Sequence, residues 1–255
     1  MSKFGIMRPH KRRILKLGNK YLLEQGWYNP IPKDNSGEYI PWFTYPATAF
    51  LRDVINKKTK VFEYGAGYST LFFNNNVDEV FSVEHDQKWV DALLKINPQI
   101  QLSVATEGAE VLPGGDEIIR SFEDEKFLLP EHSSQEQNNA HGLSNLVFGG
   151  YASQLMNKEK YYYDLVVVDG MARALCAYFA EKMISKDGII VLDNSDRWQY
   201  NSINKNLTNN GFGRIDFWGP GPVNEYAWCT SFFSRRFNIV NTKVLREVGS
   251  GDLGW

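Results

Sequence analysis

The sequence predicts an α/β protein with a doubly wound, parallel sheet. Three observations carry this. Short apolar runs alternate with helical stretches along most of the chain. The run DLVVVD (164–169) is apolar on both faces, as a central parallel strand should be. Acidic residues recur where strands end, at Glu63, Glu84, Asp169 and Asp193, and in such sheets the carboxyl ends of the strands form the ligand edge.

The elements follow in order. Residues 10–25 read as a helix closed by Gly26. A loop rich in aromatics and prolines leads to Pro46, after which Ala47, Phe50, Leu51, Val54 and Ile55 share one helical face. KVFEY (60–64) and EVFSVE (79–84) are the first two strands. A helix is expected to start after Gly67. QKWVDALLKI (87–96) is helical, with Asp86 as its N-cap. IQLSVA (100–105), DLVVVD (164–169) and GIIVLDN (188–194) are strands three to five, and a helix running to Ile184 separates the last two. GRIDFWG (213–219) and WCTSFFSRRF (228–237) close the series, joined by the turn-rich GPGPVNEYAW (219–228). Residues 107–150 break the rhythm. They hold nine acids against two bases within 107–136 and read as a lid or a disordered loop. Three regions result: an N-terminal helical and aromatic extension (1–45), the α/β domain (46–237) and a C-terminal tail (238–255).

Bulk composition narrows the function. The net charge of −2 offers no field for nucleic acid or membrane. No apolar run is long enough for a membrane span, and no signal-peptide core is visible. Cys176 and Cys229 fall in apolar patterns, which suits reduced core thiols in the cytoplasm. Residues 1–23 carry seven Lys or Arg and no acid. They are either an arm for an anionic partner or the solvated face of a helix buried along Ile14, Leu17 and Tyr21, and the second reading is favoured.

The glycine loop is the informative motif. It reads Glu63-Tyr64-Gly65-Ala66-Gly67-Tyr68-Ser69-Thr70. A dinucleotide fingerprint needs a third glycine, which is missing here. Glu63 stands two places before the first glycine, where a carboxylate would crowd a pyrophosphate. It suits a ligand with an ammonium group instead.

On these residues the chain resembles the class I S-adenosylmethionine-dependent methyltransferases. Glu63-x-Gly65-x-Gly67 is similar to their first motif, and Glu84 to the acid that grips the cofactor ribose. Together PWFTYP, EYGAGYST, VEHD, DLVVVDG and DNSDR resemble a group of bacterial small-molecule methyltransferases. The resemblance covers about residues 44–237. It implies a Rossmann-like seven-stranded sheet of order 3-2-1-4-5-7-6 with the last strand antiparallel. It implies S-adenosylmethionine held by Glu63, Gly65, Ala66, Gly67, Ser69, Thr70 and Glu84. His85, Thr106 and Asp169 are added at the adenine and reaction ends. Asp86 reads as a plain helix cap.

The acids ending strands four and five, Asp169 and Asp193-Asn194, resemble the magnesium site of catechol-type O-methyltransferases. Those enzymes have a lysine at the position of Ala172, so the match is partial. Mg²⁺ is one reading and helix capping the other. Asp169, Arg173 and Asp193 are the catalytic candidates. Arg173 and Arg197 each follow an acid by four residues and could bind an anionic substrate or pair with that acid. Trp42, Tyr45, Arg197 and Tyr200 are the acceptor-side candidates, and at least one of Trp42, Phe43 and Tyr45 must pack inward. His10, His132 and His141 show no ligand or triad spacing.

The reading is methyl transfer to a small molecule, most simply at a hydroxyl oxygen. An NAD(P)-dependent oxidoreductase and a non-catalytic methyltransferase-like module are the alternatives. No nucleic-acid or membrane partner is expected, and a homodimer stays open.

Overall fold

The computed structural model describes residues 31–124, 146–224 and 226–237. The N-terminal helix, the basic arm, His10, His132, His141 and the tail lie outside the described residues. The seven strands are β1 (Lys60–Tyr64), β2 (Glu79–Glu84), β3 (Gln101–Val104), β4 (Leu165–Val168), β5 (Ile189–Asp193), β6 (Gly213–Gly219) and β7 (Trp228–Ser234). They form one sheet in the order β3-β2-β1-β4-β5-β7-β6. β7 runs antiparallel to both neighbours, and the five strands before it in this order are parallel. The expected topology is therefore present.

The helices are α1 (Tyr45–Val54), α2 (Tyr68–Asn76), α3 (Gln87–Ile96), α4 (Gly115–Asp124), α5 (Gly149–Ser153), α6 (Arg173–Met183) and α7 (Asn201–Asn209). Strand alternation assigns the faces. Val61, Leu165, Val167, Val191 and Phe232 pack with Phe72 and Phe73 of α2 and with Ala47 and Leu51 of α1. Phe62, Tyr64, Val166, Val168, Ile190 and Leu192 pack on the opposite face against α5, α6 and α7. Glu63 has the parity of Val61, so it points under α2. Cys176 and Cys229 are free and buried. No helix among the described residues is long and apolar enough to cross a membrane.

The described parts of the segment 107–150, residues 107–124 and 146–150, are more regular than its composition suggests. They hold α4, whose Phe122 is buried and stacks edge-on with Tyr178 of α6. Ile118 and Ile119 pack on the same core. The acids lie between these apolar positions, so counting acids concealed an amphipathic helix. Residues 125–145 of the segment lie outside the described residues.

Candidate active site

The loop between β1 and α2 is built by two different glycines. Gly65 has φ +92°, and a Cβ there would lie 2.8 Å from the backbone N and Cα of Gly170, just beyond β4. Its N–H donates to Val83 O at 2.9 Å. Glycine at 65 is thus required by the crossing of two backbones, whatever approaches the loop from outside. Gly67 caps α2 with extended backbone, and a Cβ there would meet nothing closer than Ser69 Oγ at 3.7 Å. The protein itself imposes no steric demand for glycine at 67, which leaves an open surface above the first turn of α2. Amides at that helix start favour an anionic group such as a carboxylate.

Glu63 does not reach that surface. It is fully buried, and its Oε2 accepts hydrogen bonds from the hydroxyls of Thr70 and Ser82. Thr70 Oγ1 in turn accepts from Gly67 N–H at 2.9 Å. Oε1 is buried with no hydrogen-bond partner among the described residues. Burial pushes the carboxyl up to about 7, while the hydroxyls of Ser69, Thr70 and Ser82 pull it back. Glu63, expected to meet the ammonium partly through water, and Thr70, expected among the cofactor residues, are both fully buried and brace the loop from beneath. Ser69 is also buried. Ala66 contributes its carbonyl, which accepts from Trp89 Nε1 at 2.7 Å. Trp89 meets Tyr68 edge-on, and Tyr68 stacks on Tyr39. Sequence reasoning missed this aromatic buttress, because Trp89 reads simply as part of an amphipathic helix.

Glu84 ends β2 and is almost buried. Its Oε1 accepts from the amides of His85 and Asp86 at 2.8 and 2.9 Å and lies 2.6 Å from His85 Nδ1. Among the described residues no hydrogen bond reaches Oε2, so one oxygen is anchored and the other is available. The hydrogen bond to Glu84 raises the pKa of His85, with burial opposing it. Asp86 accepts from Lys88 N and Trp89 N, the helix cap that the sequence indicated. Thr106 is exposed just beyond β3.

The second half of the edge departs from expectation. Arg173, the first residue of α6, is 8% exposed. Nε donates to Gly170 O, Nη2 to Asp169 O, and Nη1 to Asp193 O and Asn194 Oδ1. Nη2 also pairs with Asp169 Oδ1 at 2.9 Å. Arg173 is therefore a positioning residue and not a ligand for substrate. Asp193 turns toward β7, where Oδ1 accepts from Trp228 Nε1 at 2.9 Å and from Thr230 Oγ1. Burial and the nearby Asp169 charge push its carboxyl up to about 7. Asp193 is thus corrected from a catalytic to a structural group.

The metal reading fails on its donors. Asn194 Oδ1 accepts from Arg173, Asp193 faces β7, and a guanidinium stands among the oxygens. Among the described residues no group of three or more His, Cys, Asp and Glu side chains is placed to hold a metal ion. The residues present do not fit Mg²⁺.

Asp169 keeps one face open. Its side chain is 24% exposed, Oδ1 is held by Arg173, and no hydrogen bond among the described residues reaches Oδ2. Burial raises its pKa, and the charges of Arg173 and Arg197 oppose that rise. Arg197 is partly exposed and makes no hydrogen bond or ion pair through its side chain among the described residues. Tyr200 is 1% exposed, with the Arg173 guanidinium 5.5 Å from its ring centroid, so it underlies the clamp and does not line an acceptor pocket. Trp42 is exposed, Tyr45 is partly so, and Phe43 is the member of the trio that packs inward. The segment is tied to this edge by Thr44, whose N–H donates to Thr230 Oγ1.

Comparisons with known proteins add the following. No family model matches the chain, and no curated protein matches it. Solved structures do. A methyltransferase-like protein from Silicibacter pomeroyi has a TM-score of 0.44 at 19% identity, over 84% of this chain and 99% of that one. A TehB-like S-adenosylmethionine-dependent methyltransferase from Corynebacterium glutamicum has 0.42 at 11%, over 89% and 99%. A methyltransferase from Geobacter sulfurreducens has 0.43 at 12%, over 87% and 89%.

Proposed function

We propose that this protein is an S-adenosylmethionine-dependent methyltransferase acting on a hydroxyl of a small-molecule acceptor. The observation that carries the reading is one sheet edge holding three openings in a row. These are the free surface at Gly67, the available Oε2 of Glu84 and the available Oδ2 of Asp169.

S-adenosylmethionine, when bound, supplies a methyl group on a sulfonium, already activated for displacement. The chain's residues then have to bind, align and take a proton. The amides opening α2 suit the carboxylate of the amino-acid end. Glu84 Oε2 suits the ribose hydroxyls, with Oε1 fixed by two amides so that little freedom is lost on binding. Asp169 Oδ2, the oxygen that Arg173 leaves open, would accept the proton that the acceptor hydroxyl gives up on methylation. Partial burial makes Asp169 a stronger base than a surface carboxylate, and Arg173 keeps it ionised and aimed. Arg197 suits an anionic group on the acceptor. A partner beyond the acceptor is not needed by this reading, and the free, buried thiols of Cys176 and Cys229 support a reducing compartment such as the cytoplasm.

Calorimetric titration tests the ligand directly. S-adenosylhomocysteine is expected to bind in the micromolar range and NADH to give no heat. Binding of NADH alone would sink the reading. Glu84→Ala is expected to weaken S-adenosylhomocysteine by about 2–4 kcal/mol, the loss of a charged hydrogen-bond pair. Unchanged affinity would move the ribose elsewhere. Asp169→Asn is expected to lower turnover by roughly 10²–10⁴-fold, the usual worth of a positioned base. The S-adenosylhomocysteine affinity should stay near that of the parent. Full activity in the Asp169→Asn variant would remove Asp169 from the chemistry.

A further inference from the structure

We propose that Arg173 is the permanent cation of this edge: its guanidinium takes the organising place that the sequence resemblance assigned to a metal ion. A guanidinium carries five N–H donors in a rigid planar fork. All three nitrogens meet oxygen here, through four hydrogen bonds and one ion pair. Nε meets Gly170 O at 3.1 Å. Nη1 meets Asp193 O at 2.6 Å and Asn194 Oδ1 at 3.3 Å. Nη2 meets Asp169 O at 2.9 Å and Asp169 Oδ1 at 2.9 Å. One side chain therefore ties the end of β4 to the end of β5 and aims the open carboxylate.

The surroundings fit that role. Ala172 and Asn194 both have positive φ, +46° and +51°, and they flank the clamp just beyond β4 and β5. Such backbone persists only where its neighbours hold it. Ala172 is fully buried in that conformation, so the long lysine of the catechol-type pattern has no room at this position. Gly170, whose carbonyl takes Nε, is pinned by its close approach to Gly65. Tyr200 closes the far side of the guanidinium. A buried cation is tolerated when it is both hydrogen-bonded and paired, and here four hydrogen bonds and the Asp169 ion pair supply both.

The site's oxygens are thus organised without a divalent ion; Arg173 acts on S-adenosylhomocysteine through the strand ends it ties together and on the acceptor through Asp169. Only the choice of ligand in the test rests on the methyltransferase reading. Melting temperature and S-adenosylhomocysteine affinity would be measured for the parent, Arg173→Lys and Arg173→Ala. Each would be tested with EDTA, with Mg²⁺, with Mn²⁺ and with low-millimolar guanidinium. Leu207→Ala, in the core of α7, serves as a variant destabilised away from the site.

The parent is expected to be indifferent to EDTA, Mg²⁺ and Mn²⁺. Arg173→Ala should lose at least ten-fold in affinity and regain a good part of it, and of its melting temperature, with guanidinium but not with Mg²⁺. Arg173→Lys, with three donors, should fall between. Leu207→Ala should melt earlier yet bind as the parent does. Arg173→Ala binding like the parent, or losing affinity only in step with Leu207→Ala, would overturn the proposal. So would a gain in the parent from Mg²⁺ or Mn²⁺. If Arg173→Ala does not fold, Arg173→Lys and the parent's response to metal decide. If the parent binds no S-adenosylhomocysteine, the methyltransferase reading fails, and guanidinium rescue of melting temperature still decides the clamp.

Discussion

Gly65→Ala is expected to lower stability by about 3 kcal/mol or more. A residue with a side chain is strained at φ +92° by about 1–2 kcal/mol. The new Cβ would also stand 2.8 Å from the Gly170 backbone, and overpacking of that kind typically costs about 1–3 kcal/mol. Backbone cannot step aside as a flexible side chain can. For a chain of this size the melting temperature should fall by roughly 10 °C, at about 2–4 °C per kcal/mol. Gly67→Ala is the informative partner. Its backbone is extended and its Cβ has room, so stability should change by less than about 1 kcal/mol. Its S-adenosylhomocysteine affinity should instead drop by about ten-fold or more, because the methyl would stand on the ligand surface. Equal melting temperatures for the two variants would refute the division of labour. Parental affinity in Gly67→Ala would mean that no ligand crosses there.

This division explains what was legible in the sequence. Both glycines belong to one motif, and the motif marks the loop correctly. It does not say that one glycine serves a backbone crossing and the other an open surface, because the crossing partner, Gly170, lies more than a hundred residues away. The sheet was legible because strand burial is written locally, as in the unbroken LVVV of β4. The strand-end acids were legible as positions but not as roles. Asp193 looks like Asp169 in sequence, yet its side chain serves the Trp228 and Thr230 donors on the inserted antiparallel β7. Arg173 could be read equally as a substrate group or a partner of Asp169. The deciding fact is that β4 and β5 end side by side, which gives its second nitrogen the carbonyl of Asp193. Helix α4 was hidden for another reason: its three apolar contacts sit among acids, of which Asp116, Glu117 and Glu123 face solvent, and a count of charge outweighed the periodicity.

The buried carboxyls make the stability of the free protein depend on pH in an unusual direction. Glu63 is fully buried, one of its oxygens has no hydrogen-bond partner among the described residues, and its pKa stands at about 7 against an ordinary 4.5. The folded state therefore holds a proton that the unfolded chain has released between these two values. Stability is then fully present below pH 4.5 and is lost as pH rises through about 7. The loss attributable to Glu63 is on the order of 3 kcal/mol, from about 1.4 kcal/mol per pKa unit. Asp193 is raised in the same direction, to about 7, by burial and by the Asp169 charge, so it adds to the slope. Denaturant melts at about pH 5 and about pH 8 should thus show the parent markedly less stable at the higher pH. Glu63→Gln keeps an oxygen for the Thr70 and Ser82 hydroxyls and cannot ionise. It should flatten most of that slope and leave the share due to Asp193. Glu63→Asp should keep the slope and disturb the loop, because the shorter side chain withdraws its carboxylate from Thr70. A parent profile that rises toward alkaline pH, or a Glu63→Gln variant that follows the parent, would show that Glu63 is ionised and satisfied in the free protein. In that case the loop is held by a buried charge and not by a neutral acid beneath Thr70.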